Sequence, residues 1–154
     1  MAESSGIRTV HTRFGVVLTP AGGALQQMLP LFKAGVGGKM GSGKEWMSWI
    51  TLDDLLAAVV HIIETDTVSG PVNCTAPSPV RNSEFTAALS QAVHRPAVVP
   101  VPAFALRLAF GEIADESLLS SCRALPDKLE NSSFAFQHPA IGPALQALLG
   151  RVRP

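Results

Sequence analysis

Lys44-Glu45-Trp46-Met47-Ser48-Trp49-Ile50-Thr51-Leu52-Asp53-Asp54-Leu55-Leu56-Ala57-Ala58-Val59-Val60-His61-Ile62-Ile63-Glu64 carries an extended segment straight into a helix. Glu45 to Ile50 interleaves large apolar residues with polar ones, and Thr51 followed three residues later by Asp54 marks a capped helix start. Beyond the cap, Leu52, Leu55, Leu56, Val59, Val60 and Ile63 recur at helical spacing. Ile62 widens that stripe, which predicts a helix covered on more than one side.

Upstream, Arg8 to Leu18 alternates Val10, Thr12, Phe14 and Val16 with His11 and Arg13, then closes on Val16-Val17-Leu18. That is a strand pattern, buried at its end. Thr19-Pro20-Ala21-Gly22-Gly23 stops it, and Leu25, Met28, Leu29 and Phe32 share a helical face. Pro30 removes a hydrogen bond within that helix, so the expectation is a kink or two short helices.

Gly35, Gly38 and Gly41 spell G-x-x-G-x-x-G, but a helix precedes them and an extended segment follows. A dinucleotide turn needs the reverse order, because the amino-terminal N–H groups of the following helix meet the pyrophosphate. Gly38 to Lys44 imitates G-x-x-x-x-G-K, yet Glu45 stands where a phosphate loop needs a hydroxyl. Both patterns read as a surface loop.

Downstream, Val68 to Ala76 predicts a turn and a short strand centred on Val72-Asn73-Cys74. Asn82 reads as an N-cap with Glu84 in the first turn of a helix whose apolar face is Phe85, Ala88, Leu89 and Ala92. Ala97 to Pro102 is Pro-bounded and extended, and residues 104–110 and 112–119 read as two short helices. Arg123 to Pro126 is a brief extended piece, Asp127 to Glu130 a helical turn, and Ser133 to Phe136 a short strand. His138-Pro139 opens a last helix that aligns Ile141, Leu145, Leu148 and Leu149.

The 154 residues are 47% hydrophobic, enough for one domain with a real core. Twelve basic residues balance twelve acidic ones, which excludes the positive field that nucleic acid or an anionic membrane requires. Cys74 and Cys122 stand outside any Cys-x-x-Cys pair and read as buried free thiols. The amino-terminal residues show neither a signal-peptide core nor an Arg-rich transit pattern, and the apolar runs are too short to span a bilayer, so the expected address is cytoplasmic. Asp53 and Asp54 read as helix-start residues rather than a catalytic pair, and His61 with Glu64 as a solvent-facing pair rather than a metal site. Neither a catalytic residue nor a metal ligand is expected.

Trp49-Ile50-Thr51-Leu52-Asp53-Asp54-Leu55, with Gly41-Ser42-Gly43 before it and Pro71-Val72-Asn73 and Ala76-Pro77 after it, resembles the second half of epimerase-family proteins. These are atypical extended short-chain dehydrogenase/reductases related to sugar-nucleotide epimerases, and the resemblance runs from about Arg8 to Leu149. It implies an α/β fold: the substrate-binding half of such an enzyme, with strands that would complete a Rossmann-type parallel sheet missing from this chain. Residues 1–20 would be the closing strand of that absent dinucleotide-binding domain, and residues 21–154 the substrate-side domain.

In the family a tyrosine, paired with a lysine four residues on, exchanges a proton while hydride passes to or from NADP or NAD. This chain contains no tyrosine, and no glycine fingerprint precedes its first strand. The expectation is therefore that it binds no cofactor and catalyses nothing alone. The family's Arg-x-x-Asn-x-Tyr-Gly-Pro stretch is matched by Arg13 to Pro20, with Val16 and Leu18 in place of the Asn and Tyr. Those two residues become the cofactor-side candidates, through backbone, and Arg13 is equally readable as one member of a strand-end ion pair.

Gly22, Gly23, Lys44 and Trp46 are the candidates for lining a substrate pocket, together with Trp49. The two indoles, three apart in an extended segment, should face opposite sides, so at most one meets a ligand. The expected partners are the missing half, a second copy and an unnamed small-molecule substrate. A second functional reading is a non-catalytic interaction module that pairs through an exposed sheet edge.

Overall fold

The computed structural model describes residues 6–97 and 121–150. The elements expected over 98–120 lie outside the described residues. Eleven elements follow in order: β1 (Val10–Phe14), β2 (Val16–Leu18), α1 (Gly23–Lys33), β3 (Trp46–Met47), β4 (Trp49–Thr51), α2 (Leu52–Glu64), β5 (Gly70–Cys74), β6 (Val80–Arg81), α3 (Asn82–Val93), α4 (Asp127–Asn131) and α5 (Ile141–Gly150). The architecture is α/β. β1 pairs parallel with β5 in the register Val10 to Gly70 through Phe14 to Cys74, β2 pairs parallel with β4, and β3 pairs antiparallel with β6.

The single strand expected over Arg8 to Leu18 divides at Gly15. There the chain leaves β5 and takes up β4: the Gly15 N–H donates to the Cys74 carbonyl at 3.2 Å, and the Val16 N–H donates to the Ser48 carbonyl at 2.8 Å. A Cβ at Gly15 would lie 2.7 Å from the Ser48 oxygen and 2.9 Å from its carbonyl carbon. Only a residue without a side chain lets the two backbones pass this closely.

α2 begins where the sequence placed it. The Thr51 hydroxyl accepts from the Asp54 N–H and donates to the Asp54 carboxylate, each at 3.2 Å. Its far end is closed by Arg8, whose guanidinium donates to the carbonyls of Ile62, Ile63 and Val68 at 2.9 to 3.0 Å. Arg8 thus satisfies carbonyls that a helix end leaves without partners.

Two cores result. Leu25, Met28 and Phe32 of α1 meet Trp49, Phe85 and Leu89 with Leu145 and Leu148 of α5, while Leu55, Ala58 and Ile62 of α2 meet Ile50, Val72 and Leu129.

Several expectations are corrected. α1 is one helix through Pro30, because Pro30 and Gln26 both lie on its exposed side, where water can serve the carbonyl that Pro30 leaves unpaired. Arg81, not Asn82, is the N-cap of α3. Asn82 is instead buried inside the helix, its side-chain oxygen accepting the Met40 N–H at 2.8 Å. Ser133 to Phe136 forms no strand; Phe134 and Phe136 turn inward to pack on the α2 core, with their rings 4.8 Å apart.

His61 does not face solvent. It is half-buried, with Nε2 2.8 Å from the Ser132 hydroxyl and its ring 5.4 Å from that of Phe134. Cys122 is exposed, whereas Cys74 is buried.

The α2 stripe is the largest departure. Leu55, Ala58 and Ile62 are covered, but Leu52, Leu56, Val60 and Ile63 face outward, Leu56 59%, Val60 52% and Ile63 66% exposed. Phe14, at the end of β1, is 55% exposed. One edge of β1 is taken by β5, and among the described residues no strand occupies the other.

Candidate functional site

Asp54 is a buried carboxylate held from three sides. It is fully buried, and its two carboxylate oxygens accept the Gln137 N–H at 2.8 Å and the His138 N–H at 2.9 Å as well as the Thr51 hydroxyl. The residue read as part of a helix cap therefore also fastens the segment leading to α5 onto the start of α2. Two backbone N–H groups and the Thr51 hydroxyl occupy its oxygens, so its task is structural.

The cation-rich end of the molecule is built on Trp46. β3 holds the Trp46 backbone against Arg81 on one side, and on the other its carbonyl accepts the Cys122 N–H at 3.0 Å while its N–H donates to the Ser121 hydroxyl at 3.1 Å. Ser48, two residues on, locks the same segment, accepting the Ala124 N–H at 2.8 Å and donating to the Cys122 carbonyl at 2.9 Å. The Thr75 hydroxyl, just past the carboxyl end of β5, bonds the Ala124 carbonyl at 3.4 Å. This cluster therefore sits just past the carboxyl end of β5 and just before the amino end of β4.

On the half-buried Trp46 ring lie two guanidinium groups, Arg81 at 4.0 Å from the ring centroid and Arg123 at 4.9 Å. Arg81 also donates from Nη1 to the Lys44 carbonyl. Each stacking contact is worth about 0.5–1 kcal/mol at an exposed site. Against this, two like charges no more than about 9 Å apart repel by about 2 kcal/mol or more at an effective dielectric of 20.

Among the described residues no ion pair joins a carboxylate to either guanidinium, although the Glu84 carboxylate accepts the Arg81 backbone N–H at 2.6 Å. Arg8 pairs with Asp66 at 3.9 Å, at the other end of α2. Glu45, next to Trp46 in sequence, accepts the Ser42 hydroxyl at 2.7 Å, and that hydrogen bond draws its pKa below the ordinary carboxylate value.

Of the residues singled out from sequence, Lys44 and Trp46 come together here, Lys44 exposed and Trp46 half-buried. Trp49 goes to the core instead, fully buried with its indole N–H on the Ser78 carbonyl at 2.9 Å. Gly22 is extended, bridges Thr19 and borders open space, and Gly23 opens α1 at φ +61° with the Val17 carbonyl oxygen 3.9 Å from where a Cβ would stand. No hydrogen bond among the described residues joins that turn to Lys44 or Trp46. Val16 is half-buried in β2, and Leu18 lies wholly in the α1 core, which leaves it only backbone to offer.

Arg13 is exposed on β1, with no ion pair among the described residues. Among them, too, no group of three potential metal ligands occurs, and no helix is long and apolar enough to cross a membrane. Arg81 and Arg123 escaped sequence reading, since nothing in their spacing ties them to Trp46.

Burial holds the Cys74 thiol protonated, its pKa pushed up to about 11 from an ordinary 9.0. At pH 8, maleimide is expected to label Cys122 within minutes and leave Cys74 unlabelled until the chain is denatured, as peptide mass spectrometry would read directly. Because the folded state keeps a proton that the unfolded chain releases, this group's contribution to stability is complete below pH 9 and declines as the pH rises towards 11.

The parallel strand pairs and the helices that follow them match the C-terminal part of extended short-chain dehydrogenase/reductases of the epimerase type. In sequence and fold the chain corresponds to the C-terminal half of the epimerase family. An epimerase family protein of Mycobacterium bovis is 51% identical over 144 residues, 94% of this chain and 48% of the relative. A crystal structure of a human epimerase family protein with NADPH superposes with a TM-score of 0.88 at 33% identity, over 95% of this chain and 50% of that one. The nucleoside-diphosphate sugar epimerase of Corynebacterium glutamicum gives 0.71 at 36% identity, over 97% and 28%. Residues 101–148 match a domain of unknown function, DUF1731. The chain spans about half the length of the curated relatives it matches.

Proposed function

We propose that this chain is the substrate-side part of an NAD(P)-dependent epimerase-type oxidoreductase and is inactive by itself. Residues 1–20 supply a closing strand of the cofactor domain and residues 21–154 the substrate side. The backbone at Val16 and Leu18 borders the nicotinamide, while Gly22, Gly23, Lys44 and Trp46 line the substrate pocket. NADP or NAD is held by a nucleotide-binding half that this sequence does not contain, and that half also brings the tyrosine and lysine of the proton exchange.

The observation that carries the reading is the uncovered apolar surface: Leu52, Leu56, Val60 and Ile63 on α2, alongside Phe14 and the open edge of β1. Covering a Leu or Ile side chain contributes about 1.5–3 kcal/mol when burial is complete, so this face favours association with something that buries it. The part of the Mycobacterium bovis relative that this chain does not match is the natural companion to supply. Size-exclusion chromatography should show a complex of the two, and Leu56→Glu with Val60→Glu should abolish it while leaving the circular dichroism of the chain unchanged. A sharply monomeric chain that ignores the companion would remove the reading's support.

The open β1 edge also suits a non-catalytic module that pairs with a protein strand. Complex formation without NADPH turnover in the reconstituted pair would favour that module.

A further inference from the structure

We propose that the groove between α1, α3 and α5 is a binding site for a medium-chain carboxylate, an alkyl tail with one anionic head. Its volume is about 490 Å³, within the range of roughly 300–1,000 Å³ that small-molecule sites span. Gln26, Leu29, Pro30 and Lys33 line it from one face of α1, at the spacing of successive helical turns, and Val93 and Leu149 line it from the ends of α3 and α5. Leu29 is buried, Val93 and Leu149 are half-buried, and the wall ends in the exposed Lys33 ammonium group.

Charge selects the head group. Lys33 is the charged residue of α1, α5 carries none, and the charged residue of α3, Glu84, sits in its first turn, at the opposite end from Val93. His94 and Arg95 follow α3 directly, so the sequence around this end of the groove is basic. Lys33 forms no ion pair among the described residues. Nor do the last carbonyls of α1 need it, because the N–H groups of Ala34, Gly35 and Val36 donate to the carbonyls of Pro30, Phe32 and Leu31, each at 3.0 Å. A cation at an apolar rim is matched by a ligand whose tail covers Leu29, Val93 and Leu149 and whose head is negative. The groove shares no residue with Lys44, Trp46 or the Gly22-Gly23 turn, so the inference stands apart from the oxidoreductase reading.

Octanoate, hexanoate and the octyltrimethylammonium cation, titrated into the 154-residue chain by calorimetry and by methyl and amide NMR, separate the contributions of tail and charge. Octanoate should bind saturably at millimolar concentration or below. Since each methylene covered tightens binding about fourfold, hexanoate should bind about tenfold more weakly. Octyltrimethylammonium, with the same tail and the opposite charge, should also bind at least tenfold more weakly. The shifted signals should be those of Leu29, Val93 and Leu149, and not those of Leu56, Val60 and Ile63 on the uncovered face of α2.

Lys33→Gln should weaken octanoate binding about fivefold without weakening that of octyltrimethylammonium, the upper end of what an exposed ion pair contributes. Gln26→Trp, a change at an exposed position that fills the groove, should weaken octanoate at least tenfold. Both variants should keep the circular dichroism of the parent chain. Leu56→Glu, on the other apolar face, should leave octanoate binding unchanged. Equal affinity for octanoate and octyltrimethylammonium, signals that move chiefly on α2, no saturable binding at millimolar concentration, or octanoate affinity unchanged in the folded Lys33→Gln/Gln26→Trp double variant would overturn the assignment.

Discussion

Gly15→Ala is expected to lower the stability of the folded chain by about 3 kcal/mol, the upper end of what overpacking a tight site costs. The added carbon would stand 2.7 Å from the Ser48 oxygen and 3.0 Å from Thr75 Cγ2. Neither neighbour can retreat freely: the Ser48 carbonyl accepts the Val16 N–H, and its hydroxyl fixes the segment carrying Arg123. The loss should therefore appear twice, as a lowered urea midpoint and as increased exposure of Trp46 to quenchers. An alanine accepted within about 0.5 kcal/mol would mean that the crossover between β5 and β4 is looser than described.

Asp54→Ala should be as damaging for a different reason. It strips the Gln137 and His138 N–H groups of their acceptor and removes one side of the α2 cap, and a buried donor left unpaired costs about 1–3 kcal/mol. A total loss of about 3 kcal/mol or more follows, with accelerated amide exchange at Gln137 and His138. Asp54→Asn retains one acceptor oxygen and should fall between the two. A change below about 1 kcal/mol in Asp54→Ala would show that α5 is held chiefly by its apolar face.

The sequence made some of this legible because the relevant physics is local. The Thr51 cap, the apolar faces of α1 and α3 and the β5 strand depend on neighbours within a few residues, and each appears where the pattern puts it. The Trp46 and Trp49 pair also separates as an extended segment requires, one half-buried beneath two guanidinium groups and one in the core.

What escaped is what depends on distant chain. Periodicity marks α2 as apolar on Leu55 and Leu56 alike, but which face this chain covers is decided by β5 and α4, so Leu56, Val60 and Ile63 could not be told from Ile62. Asn82 has the chemistry of a cap, yet Met40 claims its side chain. The guanidinium pair on Trp46 arises only when the segments around residues 46, 81 and 123 meet.

One titration bears most directly on the claim that this polypeptide supplies the ligand side without the cofactor cradle. NADPH and NADH are added to the chain alone and again with the unmatched part of the Mycobacterium bovis relative present, following nicotinamide fluorescence. The account predicts no saturable change for the chain alone and saturable binding once the companion is added. Micromolar binding of either nucleotide by the 154 residues unaided would contradict it.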